Sequence, residues 1–326
     1  MKSKASPMLD IIVTHYKEPW STVEKFFSML DLQRGVSFSS FRVLFVNDGE
    51  ENSFPPRRFS DHPYKVLQFS IPHAGVSTAR NEGLSKASSE WVMFCDCDDT
   101  FTNIYSMMDI LNVLPAPEVD LLWTDMYYEY MRENELYLQK QGLNGVFIHG
   151  KLFRRQFLLD HHILFDPHLP YCEDSLFVTT AYTVADSKRI GRIAAQTPPY
   201  VWCYTEGSVT NSMKTMDKAH TYVYYRNKKV CEVYRQYRPY DQYCSMIART
   251  IIDSYYALNA PTLSDPLLEM KSDFKQWYSQ HKSQWQAVPY DTLKEIKEAS
   301  KRASHASNTI ESISVTKWLN QLEQED

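Results

Sequence analysis

Four apolar runs, each closing on polar residues, constrain this chain more than any other feature. They are MLDIIVTHY at 8–16, FRVLFVNDGE at 41–50, YKVLQFS at 64–70 and EWVMFCDCDD at 90–99. Between them PWSTVEKFFSMLDLQ (19–33) and VSTARNEGLSKA (76–87) carry helical spacing. Runs apolar at successive positions suit strands buried on both faces, and helices between strands supply the crossovers that parallel pairing needs. The pattern predicts an α/β chain with a mostly parallel sheet flanked by helices. Ligands of such sheets collect beyond the carboxyl ends of the strands. Thr14, Tyr16, Asp48, Asp96, Asp98 and Asp99 are therefore expected to face one crevice.

Further along, MDILNVL (108–114) reads as a short helix and VDLLWTDMYYEY (119–130) as one more strand. GVFIHGKLFRRQFLLDHHI (145–163) reads as a strand or loop feeding a helix. From about residue 215 the chain turns rich in Tyr, Lys, Glu and Gln at helical spacing, with a loop at NAPTLSDP (259–266). The expected division is a catalytic domain over 1–212 and a helical C-terminal appendage over 213–326.

A formal net charge of −5 leaves no basic footprint over the whole chain, so no nucleic-acid partner is expected. Aromatic residues make up 14%, with 22 Tyr against 9 Gly, which favours a packed protein with flat stacking surfaces. Six cysteines in 326 residues do not make a disulfide framework, and Cys95 and Cys97 lack a second Cys or His pair at zinc spacing. Reduced thiols are expected. The apolar run after the basic start is too short for a signal peptide, and no stretch reaches spanning length. The expected location is cytoplasmic, with peripheral contact at the inner face of a membrane through the Tyr- and Lys/Arg-rich segment 221–238.

DCDDT (96–100) concentrates the chemistry. Clustered carboxylates repel and call for a compensating cation or proton. The letters fit D-x-D-x-T, which resembles the nucleophile loop of haloacid-dehalogenase-type phosphatases, with Asp96 as nucleophile and Asp98 as acid/base. They equally fit D-x-D, whose hard oxygens suit Mn²⁺ or Mg²⁺ under a nucleotide diphosphate. The phosphatase loop normally follows the first strand, whereas this cluster follows the fourth. A third reading is a sugar-nucleotide or glycan-binding module without catalysis.

IIVTHYKEP, VLFVNDGE, GVSTARNEGLSKASSEWVMFCDCDD and HGKLFRRQFLLDHHILFDPHLPYCEDSLF occur in that order. Together they closely resemble family-two glycosyltransferases of the GT-A fold, over roughly 8–212. The resemblance implies an inverting, metal-dependent transfer of a sugar from a nucleotide-diphosphate donor, with uridine the expected base, to a glycan or lipid-linked acceptor. It implies nucleoside contacts at Thr14, Tyr16 and Asp48, and a nucleotide or diphosphate contact at Arg80 supported by Asn81. It also implies a nucleoside contact at Asp96, metal ligation by Asp98 and Asp99, and a catalytic base at Asp174 beside Glu173. Trp123, Asp125, His149 and Lys151, with Glu173, are candidates for the acceptor side. Many relatives carry an arginine or histidine shortly before the serine of the closing segment. YVWCYTEGSVTNS (200–212) has none, which leaves Ser208 and Thr210 as weaker hydrogen-bonding candidates and a third metal ligand unassigned.

Overall fold

The computed structural model describes residues 7–114, 118–206, 216–259, 262–303 and 314–324. The chain divides into two compact units, Met1–Glu206 and Gly207–Asp326. The elements of the first are β1 (Leu9–His15), α1 (Trp20–Asp31), β2 (Phe41–Asp48), β3 (Lys65–Ile71), α2 (Val76–Lys86) and β4 (Trp91–Asp96). Then come β5 (Thr100–Phe101), α3 (Ser106–Leu111), β6 (Leu121–Trp123), β7 (Met126–Arg132), β8 (Glu135–Gln141) and β9 (Lys151–Arg154). The unit ends with α4 (Arg155–Asp160), α5 (Glu173–Val184), β10 (Ile190–Arg192) and β11 (Tyr200–Trp202).

Seven strands form the main sheet in the order β10-β6-β9-β4-β1-β2-β3. All neighbours are parallel except β9, which is antiparallel to both β4 and β6. Side-chain parity explains the continuous apolar runs. Ile11, Val13, Val43, Phe45 and Met93 pack with Val23, Phe26, Phe27 and Leu30 of α1. The alternate residues Ile12, Leu44, Val92 and Phe94 pack with Leu84 of α2 and Phe177, Val178 and Ala181 of α5. Both faces of β1, β2 and β4 are thus buried, and their polar residues gather at the carboxyl ends, whereas the edge strand β3 is only half-buried.

Asp10 is the exception inside a strand. It is wholly buried, yet its oxygens accept hydrogen bonds from Arg42, at 2.5 and 2.9 Å, and from Ser88 and Ser89. Burial would raise its pKa, but Arg42 and the two serines outweigh that and hold it below the usual value.

The expected strand over 119–130 is two strands in two sheets. Chain direction breaks at Thr124–Asp125, and β7 joins a second sheet of order β5-β11-β7-β8. β7 and β8 form a hairpin turned by Glu133 and Asn134, both with positive φ (53° and 64°), the backbone a tight two-residue turn requires. β8 was not anticipated.

In the second unit the described helices are α6 (Met216–Tyr237), α7 (Tyr240–Leu258), α8 (Asp265–Gln286), α9 (Tyr290–Ala303) and α10 (Val315–Leu322). Their core gathers Ile247, Ile251 and Tyr255 of α7, Phe274 and Trp277 of α8, and Trp318 of α10. No helix among the described residues is long and apolar enough to cross a membrane.

Candidate active site

The site is assembled around one buried arginine. Gly83 lets α2 lie close against β1, since a Cβ there would fall 2.4 Å from Ile12 Cγ2. Three residues earlier on α2, Arg80 is only 3% exposed, its guanidinium 5.2 Å from the centre of the Phe165 ring. Asn81 fixes that loop by donating to the Phe165 carbonyl (2.8 Å) and accepting from its N–H (2.9 Å). Arg80 Nη1 donates to Asp174 Oδ1 at 2.5 Å and Glu173 Oε1 at 3.1 Å, while Nη2 donates to Asp96 Oδ1 at 3.0 Å. Three carboxylates raise its pKa against the opposing effect of burial. Arg80 therefore lies beneath the carboxylates and orients them.

Glu173 and Asp174 open α5, directly after Cys172, whose φ of 67° is the left-handed conformation a non-glycine residue rarely takes. Asp174 Oδ2 also accepts from the backbone N–H of Ile148 at 3.3 Å. Burial and the neighbouring Asp174 push the Glu173 pKa up to about 7, although Arg80 opposes them.

Asp96 ends β4. Besides Arg80 it accepts from Thr14 Oγ1 at 3.1 Å and faces His149 Nε2 at 3.1 Å. Burial would raise its pKa, but Arg80 and His149 reverse that and hold it far below the usual range. Asp99 turns inward and accepts from Tyr200 Oη (2.6 Å) and the Cys203 N–H (2.9 Å), with His149 Nε2 3.5 Å away. Burial, with Asp96 and Asp98 adding repulsion, drives its pKa well up despite His149. Asp98 is also raised, by burial first and then Asp96, and its Oδ2 accepts from Thr205 at 2.8 Å.

Asp96, Asp99 and His149 could hold a cation, since one ligand atom from each lies within 4.8 Å of the others. The residues fit a divalent ion. Two carboxylates and an imidazole suit Mn²⁺ well. This differs from the expected pair Asp98 and Asp99: Asp98 lies outside the group, and His149, expected on the acceptor side, lies within it. Ser208 and Thr210 lie outside the described residues.

Other expected residues hold the rim. Asp48, ending β2, accepts from the Ala74 N–H (2.7 Å), the Gly75 N–H (2.9 Å) and His73 Nδ1 (2.9 Å). Gly75 has φ +91°, a backbone few side chains tolerate, and it leads into α2. The His73 ring, just past β3, stacks on Tyr16, just past β1, at 4.1 Å, so a flat aromatic pair joins the ends of those strands, with Asp48 of β2 bonded to it. Lys151 is buried, its Nζ donating to the Phe147 carbonyl at 2.5 Å; burial lowers its pKa to about 8 although Asp174 opposes the shift. Trp123 and Asp125 form a separate group. Asp125 pairs with Lys140 (2.7 Å) and Arg192 (3.0 Å), and Arg192 lies 5.0 Å from the centre of the Trp123 ring.

Comparison with known proteins agrees with this architecture. The family model described as glycosyl transferase family 2 matches residues 10–169. The chain is 26% identical over 184 residues to the minor teichoic acid biosynthesis protein GgaA of Bacillus subtilis (strain 168), covering 50% of this chain and 40% of GgaA. Among solved structures it resembles S. aureus TarS at a TM-score of 0.60 and 17% identity, over 91% of this chain and 54% of TarS. It resembles the 1–349 fragment of TarS in complex with UDP-GlcNAc at 0.51 and 18% identity, over 90% of this chain and 92% of the fragment. The mannosyltransferase PcManGT of Pyrobaculum calidifontis, in complex with GDP-Man and Mn²⁺, superposes at 0.50 and 13% identity, over 94% of this chain and 88% of that one. The chain thus spans only about half, or less, of the full-length relatives GgaA and TarS. Residues 10–169 thus match the glycosyl transferase family 2 model, and the fold is GT-A.

Proposed function

We propose that this chain transfers a sugar, with inversion at the anomeric carbon, from a nucleotide-diphosphate donor to a hydroxyl of a glycan or lipid-linked acceptor. One observation carries the reading: Arg80 ties Asp174 and Asp96 to one guanidinium, so a proton acceptor and the acidic cluster share a single buried network. Inverting transfer needs both, on opposite sides of the reacting carbon. The donor is proposed to carry uridine, in keeping with the UDP-GlcNAc complex of the TarS fragment. A surface glycan or its precursor as acceptor accords with the teichoic acid role in the name of GgaA.

In this reading Asp174 accepts the proton of the attacking hydroxyl, and Glu173 shares its tether to Arg80. Thr14 and Arg80 hold Asp96 in place. The Tyr16–His73 pair, fixed by Asp48, offers a stacking surface to the base. Asp96, Asp99 and His149 would hold a divalent cation, Mn²⁺ or Mg²⁺, which when bound neutralises charge on the departing diphosphate. Residues 1–212 are proposed as the catalytic domain and 213–326 as a helical appendage, acting in the cytoplasm.

A thermal-shift screen of nucleotide-diphosphate sugars with and without Mn²⁺ tests the reading. A rise in Tm requiring both ligand and metal is the expected result. Turnover of p-nitrophenyl phosphate that Asp96→Asn abolishes would instead favour the phosphatase chemistry that D-x-D-x-T allows.

A further inference from the structure

The second sheet carries an aromatic row that the proposed chemistry does not use. In register, Tyr200 of β11 lies beside Met126 of β7, and Trp202 beside Tyr128. Across the hairpin Tyr128 faces Gln139 and Tyr130 faces Tyr137 of β8. Alternate residues of a strand share a face, so Tyr200, Trp202, Tyr128, Tyr130, Gln139 and Tyr137 lie on one side of the sheet. Phe147 joins them. Its ring lies 5.6 Å from Trp202 and 6.4 Å from Tyr128, Tyr128 is 5.7 Å from Tyr130, and Tyr130 stacks on Tyr137 at 5.6 Å.

The row begins at the carboxylates. Tyr200 donates to Asp99 and stacks against His149 at 5.5 Å. Each of the two inner rings is one residue from a backbone N–H in the site: Cys203, after Trp202, donates to Asp99, and Ile148, after Phe147, donates to Asp174. Exposure grows outward, from fully buried Tyr200 through half-buried Trp202, Tyr128 and Tyr130 to Tyr137, which is 39% exposed. From Met126 to Tyr130 the strand advances about 13 Å, room for more than one sugar ring. Large rings left half open to water, continuous with a charged site, mark a surface that binds something.

The chemistry of the face selects the occupant. Between the rings it offers phenol and amide groups, with Tyr128 Oη donating to Gln139 Oε1 at 2.9 Å. The lysine of β8, Lys140, sits opposite Tyr127, on the other face, and is paired with Asp125. Arg132, two residues past Tyr130 on the same face, sits opposite Glu135 and pairs with Glu133 at 3.5 Å, so its charge is balanced at the outer end of the row. Flat rings matched to C–H faces, amides and phenols matched to hydroxyls, and no uncompensated cation beside the rings suit neutral saccharide over polyol phosphate. We infer that this aromatic face is a track for a chain of neutral sugar rings, holding it so that its end reaches the site beside Asp174. That the chain is the transfer acceptor rests on the function proposed above; that the face binds saccharide does not.

Affinity gel electrophoresis tests it, using the full chain in gels containing dextran, galactan, glucomannan, xylan or, separately, poly(glycerol phosphate). At least one neutral polysaccharide should retard the wild-type protein. Tyr130→Ala/Tyr137→Ala should weaken that retardation at least tenfold, whereas Leu138→Ser, on the other face of β8, should not change it. Should the double variant fail to fold, Tyr137→Ala alone is read the same way. No retardation by any neutral polysaccharide, retardation by poly(glycerol phosphate) alone, or equal retardation of wild type and Tyr variants would overturn the inference. The nucleotide-sugar thermal shift, measured on the same proteins, should be identical in all of them. Its absence alongside retained retardation would count against the transferase reading and leave the saccharide track standing.

Discussion

Arg80 holds Asp174 and Asp96 on separate nitrogens of one guanidinium, at 2.5 and 3.0 Å, although the two aspartates come from β4 and α5. With Arg80 buried, neither carboxylate can turn without breaking a charge-assisted bond in a poorly solvated site. Arg80→Met should leave those acids without their counter-charge and cost about 3 to 5 kcal/mol, seen as a lowered denaturation midpoint. Arg80→Lys keeps the charge but cannot reach both aspartates with separate nitrogens. It should cost less stability yet lower transfer by about tenfold or more. A lysine variant with full activity would mean that Arg80 serves only to balance charge.

Asp174→Asn preserves the shape of the side chain and an oxygen for Arg80 but removes the proposed proton acceptor. Transfer should fall by about 10² to 10⁴, the usual worth of a positioned base. Nucleotide-sugar binding by calorimetry should stay within about twofold. Equal loss of binding and turnover would assign Asp174 to the donor instead.

Removal of the proposed divalent ion should separate the two acidic groups. Chelation, Asp99→Asn and His149→Gln are each expected to weaken Mn²⁺-dependent nucleotide binding, because each removes or unseats a donor of the Asp96–Asp99–His149 set. Asp98→Asn, whose carboxylate instead accepts from Thr205, should weaken it less. The order of the variants in a Mn²⁺ titration is the measurement, and a larger effect at Asp98 would restore the D-x-D assignment made from sequence.

Glu173 makes a pH prediction. Its folded pKa is raised to about 7, so between the ordinary carboxylate value and 7 the folded state binds the proton that the unfolded chain has released. Its stabilising contribution is complete below about 4.5 and is lost as pH rises through 7. Glu173→Gln cannot titrate, so relative to wild type it should gain on the order of 1 to 3 kcal/mol between pH 4.5 and 7.5. Parallel stability–pH curves for the two proteins would disprove the coupling.

Asp10 should behave in the opposite sense. Its depressed pKa gives stability that is present above the ordinary carboxylate value and lost as pH falls through the lower folded value. Asp10→Asn should therefore be less stable than wild type at pH 7, with the gap closing below about pH 4. Activity should follow stability here, since Asp10 is committed to Arg42, Ser88 and Ser89.

The sequence by itself determined the strands of the parallel sheet and which polar residues close them. Apolar runs such as IIV and VLFV can be buried only inside a sheet covered on both faces, and that requirement is local and periodic. The ends of β1, β2 and β4 follow, and with them Thr14, Asp48 and Asp96. Tertiary structure decided how adjacent acids divide. Asp98 and Asp99 are neighbours in the chain, but one meets Thr205 and the other Tyr200, Cys203 and His149, partners supplied from about 50 to 107 residues away. The break at Thr124–Asp125 likewise sent β7 to a second sheet, carrying Tyr128 and Tyr130 with it and leaving Trp123 and Asp125 among Arg192 and Lys140. Strand order and side-chain direction set these encounters, and neither is written in the spacing of nearby residues, because a contact across a fold depends on every element that packs between.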